Sequence, residues 1–452
     1  MLVPHSRLLF YVALIILPLA LFAAIMPTAA PTVYLGILGF VLLSLIDAVL
    51  AYSRLEGIQV EFSDVIRCSR KREGVIDITV THPGTTGKKL RLGLAWPHEL
   101  ASSEEDVQAI LPKGHESIRL TWPFIPLKRG SYVFDRCYLE SASPLGFWGI
   151  RGSMVVECHI RVYPDLSGER DNLAALFLHR GNFGIHAQRQ IGKGREFEKL
   201  REYMPGDSFD EIHWKATAKR GKPITKIFQI ERTQEVYVLI DTSRLSVRSS
   251  FASNHVLQPD EPGDETILER CIVAAMVLGL AAQKQGDLFG VVAFHRQIHT
   301  FVRARSGKAH YGACRDALYR LEPDSSNPDF DELCTFLRLK LRRRALLLVL
   351  TSLDDPVLAE NFTKNIQIIN RQHLVMVNML RPAAAQPIFS NPQVASVDEL
   401  YRELGGHALW HDLQELERAL HHRGVHFSLV QHEKMCVELV SQYIGVKRRQ
   451  LL

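Results

Sequence analysis

A chain of 452 residues is too long for one ordinary hydrophobic core and argues for two to three domains. Its 46% hydrophobic and 23% charged residues suit a folded protein with a small membrane portion. The net charge of +5 is mild, the basic residues are dispersed, and no recognisable binding module accompanies them, so nothing argues for a nucleic-acid partner.

The chain opens on its most apolar part. No charged residue occurs from Leu8 to Ile46, a stretch that as one helix would be roughly 58 Å long, about twice a bilayer core. Met26-Pro27-Thr28-Ala29-Ala30-Pro31 interrupts it, and prolines disfavour a continuous helix. Two spans are therefore expected, Leu8 to Ile25 and Thr32 to Tyr52, within an anchor covering residues 1–55. A secretory signal cleaved near Ala30 is the alternative, and the second long apolar segment argues against it. Arg7 precedes the first span, and Arg54, Arg67, Arg70, Lys71 and Arg72 follow the second. By the positive-inside rule both ends face the cytoplasm, which gives a multi-pass protein of the bacterial plasma membrane. Asp47, near the end of the second span, can reach the interface and receives no role. The cytoplasmic side also agrees with seven widely spaced cysteines, odd in number and without a Cys-x-x-Cys, which read as reduced thiols.

Residues 56–166 alternate apolar and polar in short runs: Val60 to Phe62, Val75 to Val80, Leu90 to Leu94, Ser117 to Trp122, Tyr132 to Leu139 and Met154 to Val162. Turn residues such as Pro83-Gly84 and Arg129-Gly130 separate them, so a small antiparallel β-sandwich is expected. Pro144 to Trp148 reads as a turn packed by its own aromatics. Residues 167–235 form a polar linker and signature segment, with a short helix predicted over Asp171 to His179 and with His179 and His186 at the surface.

From residue 236 to 452 strands alternate with helices, the pattern of a mainly parallel sheet covered on both faces. Strands are predicted at Val236 to Ile240, Leu288 to Phe294, Ile298 to Val302, Ala345 to Thr351, Leu374 to Met379 and Val425 to Val430. Helices are predicted at Glu265 to Gln283, Ala309 to Leu321, Phe330 to Arg344, Val357 to Asn370, Val397 to Leu404, Trp410 to His422 and His432 to Lys447. His295-Arg296-Gln297 marks an antiparallel edge hairpin. In such a sheet ligands collect beyond the carboxyl ends of the strands, where Asp241 lies.

The stretch Phe197 to Asp241 links these parts. Met204-Pro205-Gly206-Asp207 reads as a tight turn. Around it Arg201, Lys215, Lys219, Arg220, Lys222 and Lys226 interleave with Glu202, Asp207, Asp210, Glu211, His213 and Trp214. This mixture reads either as a solvated, ion-paired surface or as a docking face with Trp214 as its aromatic anchor. A His near carboxylates could also serve a hydrolase as general base, with His213 beside Asp207 or Asp210, but no nucleophile or oxyanion feature accompanies it.

The run REYMPGDSFDEIHWKATAKRGK, followed by KIFQIE and a strand ending Asp-Thr-Ser, resembles the signature of the fifty-eighth domain-of-unknown-function family. The resemblance rests on Arg201, Glu202, Tyr203, Gly206, Asp207, His213, Trp214, Lys215 and Ala216, and extends to Pro126–Trp148 and Tyr443–Leu452. It implies a membrane-anchored protein with a von Willebrand factor A-like α/β doubly wound sheet. In such domains Asp-x-Ser-x-Ser, a Thr and a later Asp hold a divalent ion, with magnesium the expected one. Here Asp241 and Ser243 match, Leu245 stands in the third position, and Ser352 stands where the family usually has Asp. Ser246, Asp354 and Asp355 are possible substitutes, although Asp354-Asp355 before Pro356 also suits a helix N-cap. The ligand set is degenerate, so no cofactor is expected, magnesium being the ion that such a site would take.

The resemblance further implies a non-enzymatic adaptor whose protein partner is a MoxR-type AAA+ ATPase, acting in complex assembly, maturation or envelope maintenance. On that expectation Arg201, Tyr203, Asp207, His213, Trp214 and Lys215 form or support the docking face. An ion-dependent ligand-binding A domain is the alternative.

Overall fold

A computed structural model describes residues 1–26, 30–81, 88–111, 117–169, 191–205, 207–229, 234–249, 265–388, 390 and 396–449. The chain divides into two compact units, Met1–Asp165 and Leu166–Leu452. The helix expected at Asp171 to His179 lies outside the described residues.

In the first unit, strand β1 (Leu2–Pro4) precedes helix α1 (Ser6–Ile25) and helix α2 (Ala30–Tyr52). Both helices are long and apolar enough to cross a membrane. Strands follow as β2 (Gln59–Phe62), β3 (Val65–Ser69), β4 (Gly74–Thr81), β5 (Lys88–Leu94), β6 (Leu100–Ala101), β7 (Asp106–Leu111), β8 (Ser117–Pro126), β9 (Gly130–Ala142) and β10 (Trp148–Tyr163). They form two sheets. One runs β1-β10-β9-β5-β7 with β3 on β10, and the other runs β2-β4-β8-β6. The alternation seen in the sequence sends Ile76, Ile78, Val80, Trp122 and Phe124 of the second sheet inward, against Leu90, Leu92, Leu139, Ile160 and Val162 of the first. Strands β1, β3, β6 and β7 are too short, or too polar on their outer faces, to be read as runs.

In the second unit a polar hairpin comes first. Strand β11 (Ile191–Glu202) pairs antiparallel with β12 (Ile224–Gln229), and helix α3 (Trp214–Arg220) lies between them. Within the segment read as linker and signature, these described residues form regular secondary structure. Its charged strands carry no apolar alternation, which is why the sequence reads as loop.

The main sheet follows: β13 (Glu235–Asp241), α4 (Ile267–Gln285), β14 (Leu288–Phe294), β15 (Ile298–Arg305), α5 (Lys308–Leu318), α6 (Phe330–Lys340), β16 (Ala345–Leu350), α7 (Pro356–Asn370), β17 (Leu374–Leu380), α8 (Val397–His422), β18 (His426–Val430) and α9 (Met435–Arg449). Strand order is β15-β14-β13-β16-β17-β18, parallel except for β15 at the edge. Val236, Val238 and Ile240 pack with α4 and α9 on one face, and Tyr237 and Leu239 with α6 and α7 on the other. Burial on both faces explains the near-continuous apolar strands.

Three predicted helices need correction. The segments Val397 to Leu404 and Trp410 to His422 form one helix, α8, which runs through Gly405-Gly406. A side chain at Gly406 would meet the Ala384 carbonyl oxygen at 2.2 Å, so glycine there marks a close approach of backbones and not a break. Helix α6 ends at Lys340 with Leu341 as its C-cap, which leaves Arg342 to Arg344 in the connection to β16 and outside the helix.

Candidate functional site

The predicted residues gather into two groups, one on the β11–β12 hairpin and one at the carboxyl end of the main sheet. In the hairpin, Asp207 is the hub. Arg201 Nη2 donates to Asp207 Oδ1 at 2.6 Å, and the Met204 amide and Thr225 hydroxyl donate to Oδ2 at 3.0 and 3.2 Å. The Asp207 amide closes the turn onto Met204 O at 3.0 Å. The Met204 amide, the Arg201 guanidinium and the Thr225 hydroxyl together hold the Asp207 carboxyl below its ordinary range. His213 is the N-cap of α3, its Nδ1 accepting from the Ala216 amide at 3.0 Å, a bond that ties the ring to a structural duty. The Thr217 hydroxyl accepts from the Ile224 amide at 3.0 Å and ties α3 back to β12.

Arg201, Asp207 and His213 therefore build the hairpin. What the hairpin presents is different: Trp214 is 69% exposed, and Met204 and Phe209 are also exposed. Tyr203 stacks on Phe209 with ring centroids 6.1 Å apart. Lys215, Lys219, Arg220 and Lys222 are exposed around them, with Lys222 3.7 Å from Glu202. Sequence reasoning missed Met204, Phe209 and Thr225. The first two are apolar residues in a polar run, and that was the available signal.

At the sheet end Asp241 is only 4% exposed, and Thr242, Ser243, Ser246, Thr351 and Ser352 are buried with it. Thr351 Oγ1 donates to Asp241 Oδ2 at 2.6 Å and the Ser243 amide to Oδ1 at 2.9 Å. The Ser246 hydroxyl donates to Ser243 O at 2.7 Å, and the Ser243 hydroxyl accepts from the Leu245 amide at 3.4 Å. Burial raises the Asp241 pKa against these hydrogen bonds. The Asp324 amide donates to Thr242 O at 2.7 Å and the Arg244 amide to Ser326 O at 3.0 Å, which fixes the surrounding loops.

Both carboxylate oxygens of Asp241 are thus occupied by protein donors, and Leu245 is buried in the third position. No group of three or more His, Cys, Asp or Glu among the described residues is arranged to hold a metal. Of the proposed substitutes, Asp355 is the N-cap of α7, accepting from the Val357 amide at 2.9 Å, and Asp354 pairs with Arg248. The cysteine thiols are all free, and six are buried.

The elements so described define a protein with an α/β sheet, a β-sandwich and two candidate membrane-crossing helices. Residues 199–388 match the model of the family described as protein of unknown function DUF58, which supports that family for the segment carrying both groups of residues. Among solved structures the chain is similar to the PilB minor pilin from Streptococcus sanguinis, at 9% identity over 90% of this chain and 94% of that one, with a TM-score of 0.31. It is also similar to proximal thread matrix protein 1 from the mussel byssus, at 10% identity over 46% and 44%, with a TM-score of 0.26. Likenesses this slight carry no argument. No curated protein matches.

Proposed function

We propose that the protein is a membrane-anchored, non-enzymatic interaction module, held by residues 8–52 in a bacterial plasma membrane with its soluble units on the cytoplasmic side. Its partner on this reading is a MoxR-type AAA+ ATPase, and the pair acts in assembly, maturation or envelope maintenance. The observation that carries the reading is the division of labour in the hairpin. Arg201, Asp207 and His213 hold the turn and cap α3, while Trp214 stands exposed, as do Met204, Phe209 and Lys215. A rigid, exposed aromatic flanked by cations is the composition of an interaction hot spot. The A-type reading of the sheet is supported by its central β13, by its antiparallel edge strand β15 and by the position of Asp241.

The divalent-ion alternative finds less support, because Leu245 and Ser352 stand where two of its oxygen ligands are expected and both Asp241 oxygens already accept from Thr351 and Ser243. Capture of the full-length protein from its host's membranes tests both readings. Wild type is expected to recover an AAA+ ATPase, Trp214→Ala and Lys215→Glu to lose it, and chelator to change nothing. Equal recovery with the Trp214 variant sinks the docking face, and loss in chelator favours the ion.

A further inference from the structure

The connection between β9 and β10 is a five-residue turn, Ser143-Pro144-Leu145-Gly146-Phe147, that leads into Trp148. It lies along one face of α2. Asp47, 1% exposed, accepts from the Ser143 hydroxyl at 2.5 Å and from the amides of Leu145 and Phe147 at 2.9 and 3.3 Å. Trp148 Nε1 donates to Ser44 O at 2.9 Å. Phe147 packs on Phe40 at 5.7 Å and on Tyr11 of α1 at 5.9 Å between centroids.

Phe40, Ser44 and Asp47 follow helical spacing, so the turn covers about two turns of α2. At 1.5 Å per residue Asp47 lies about 7.5 Å and Phe40 about 18 Å from the helix end at Tyr52. A helix of 23 residues is about 35 Å long against a core of about 30 Å, so the excess does not lift these contacts out of the apolar layer.

Every amide hydrogen of the turn is satisfied without water. The Ser143 amide donates to Trp148 O at 2.8 Å and Gly146 to Ser143 O at 3.0 Å. Leu145 and Phe147 donate to Asp47, and Trp148 donates to the Ser143 hydroxyl at 3.0 Å. Pro144 has no amide hydrogen. Phe147 O in turn accepts from the His5 amide at 2.8 Å. Hydrocarbon imposes this condition on any non-helical backbone, and a charge inside a spanning helix is tolerated when it is paired. An aqueous turn has no need of an aspartate drawn from an apolar helix.

We infer that the Ser143–Trp148 turn is embedded in the membrane beside α2, with the exposed side chain of Leu145 against lipid acyl chains and Asp47 serving as acceptor for the turn's amides. The inference rests on the reading of α1 and α2 as a membrane hairpin. The sandwich is then inserted as a wedge and does not stand off on a linker.

Nitroxide labels in the full chain, reconstituted in phosphatidylcholine–phosphatidylglycerol vesicles, test this. Leu145→Cys is compared with Leu42→Cys on α2 and Val133→Cys on β9, all exposed positions, in a Cys68→Ser background that leaves only buried thiols. Collision with oxygen against a water-soluble nickel chelate reports depth. A label at 145 that follows the one at 42, with 133 in water, is the expected result. A label at 145 that follows 133 while 42 stays in lipid overturns the embedded turn and leaves the hairpin. All three labels in water would overturn the hairpin reading, and the turn with it.

Discussion

Thr351 Oγ1 donates to Asp241 Oδ2 across 2.6 Å, joining the carboxyl ends of two neighbouring parallel strands at a fully enclosed point. The hydroxyl gives a buried carboxylate a donor, and burial raises that group's pKa. Thr351→Val removes the donor and keeps the shape. A destabilisation of about 1–3 kcal/mol is expected, read as a lowered midpoint for the sheet unit in thermal melts of the full chain, with capture of the proposed partner retained at permissive temperature.

The hairpin separates residues that hold its fold from residues that it exposes. Asp207→Asn and Arg201→Ala are expected to loosen the turn, raising amide exchange at Met204, whose N–H donates to the Asp207 carboxylate. Trp214→Ala is expected to leave exchange and melting within about 0.5 kcal/mol of wild type, as for other exposed positions, while partner capture falls. Protected exchange in all three variants would assign the signature residues no structural duty.

His373 sits buried before β17 with neither ring nitrogen hydrogen-bonded, and desolvation, with Arg344 nearby, holds its pKa below the ordinary value. The unfolded chain therefore binds the proton more readily than the folded one. The stability that the neutral ring contributes is present above about pH 6.5 and is lost as pH falls through the lower folded value. His373→Leu is expected to flatten the melting midpoint between about pH 6.5 and 5 and to raise it at pH 5. An unchanged slope would exclude His373 as its source.

Adjacent glycines in α8 are expected to respond oppositely. Gly406→Ala drives a methyl into the Ala384 carbonyl and is expected to destabilise by more than 1 kcal/mol. Gly405→Ala meets nothing within 4 Å and is expected to stabilise by about 0.5–1 kcal/mol through helix propensity. Equal effects in urea titrations would deny the close approach.

Much of this fold was legible because its signals are local. Strand β14 is found at the predicted residues Leu288 to Phe294, and β13, β16 and β17 fall within one or two residues of expectation, since strands buried on both faces read as unbroken apolar runs. The two apolar helices were equally plain from length and the absence of charge. The hairpin was not, because β11 and β12 are stabilised by pairing and by the Asp207 network, and neither leaves an apolar period in the sequence.

The sequence alone determined which segments are apolar enough to be strands, spans and helices, and which side chains carry charge, because those are properties of neighbours in the chain. Tertiary structure decided what the charges are for. Asp47 meets its partners about a hundred positions away, and Asp241 and Thr351 are 110 positions apart. Partnership of that kind depends on how the sheets and helices pack, and no spacing in the chain records it.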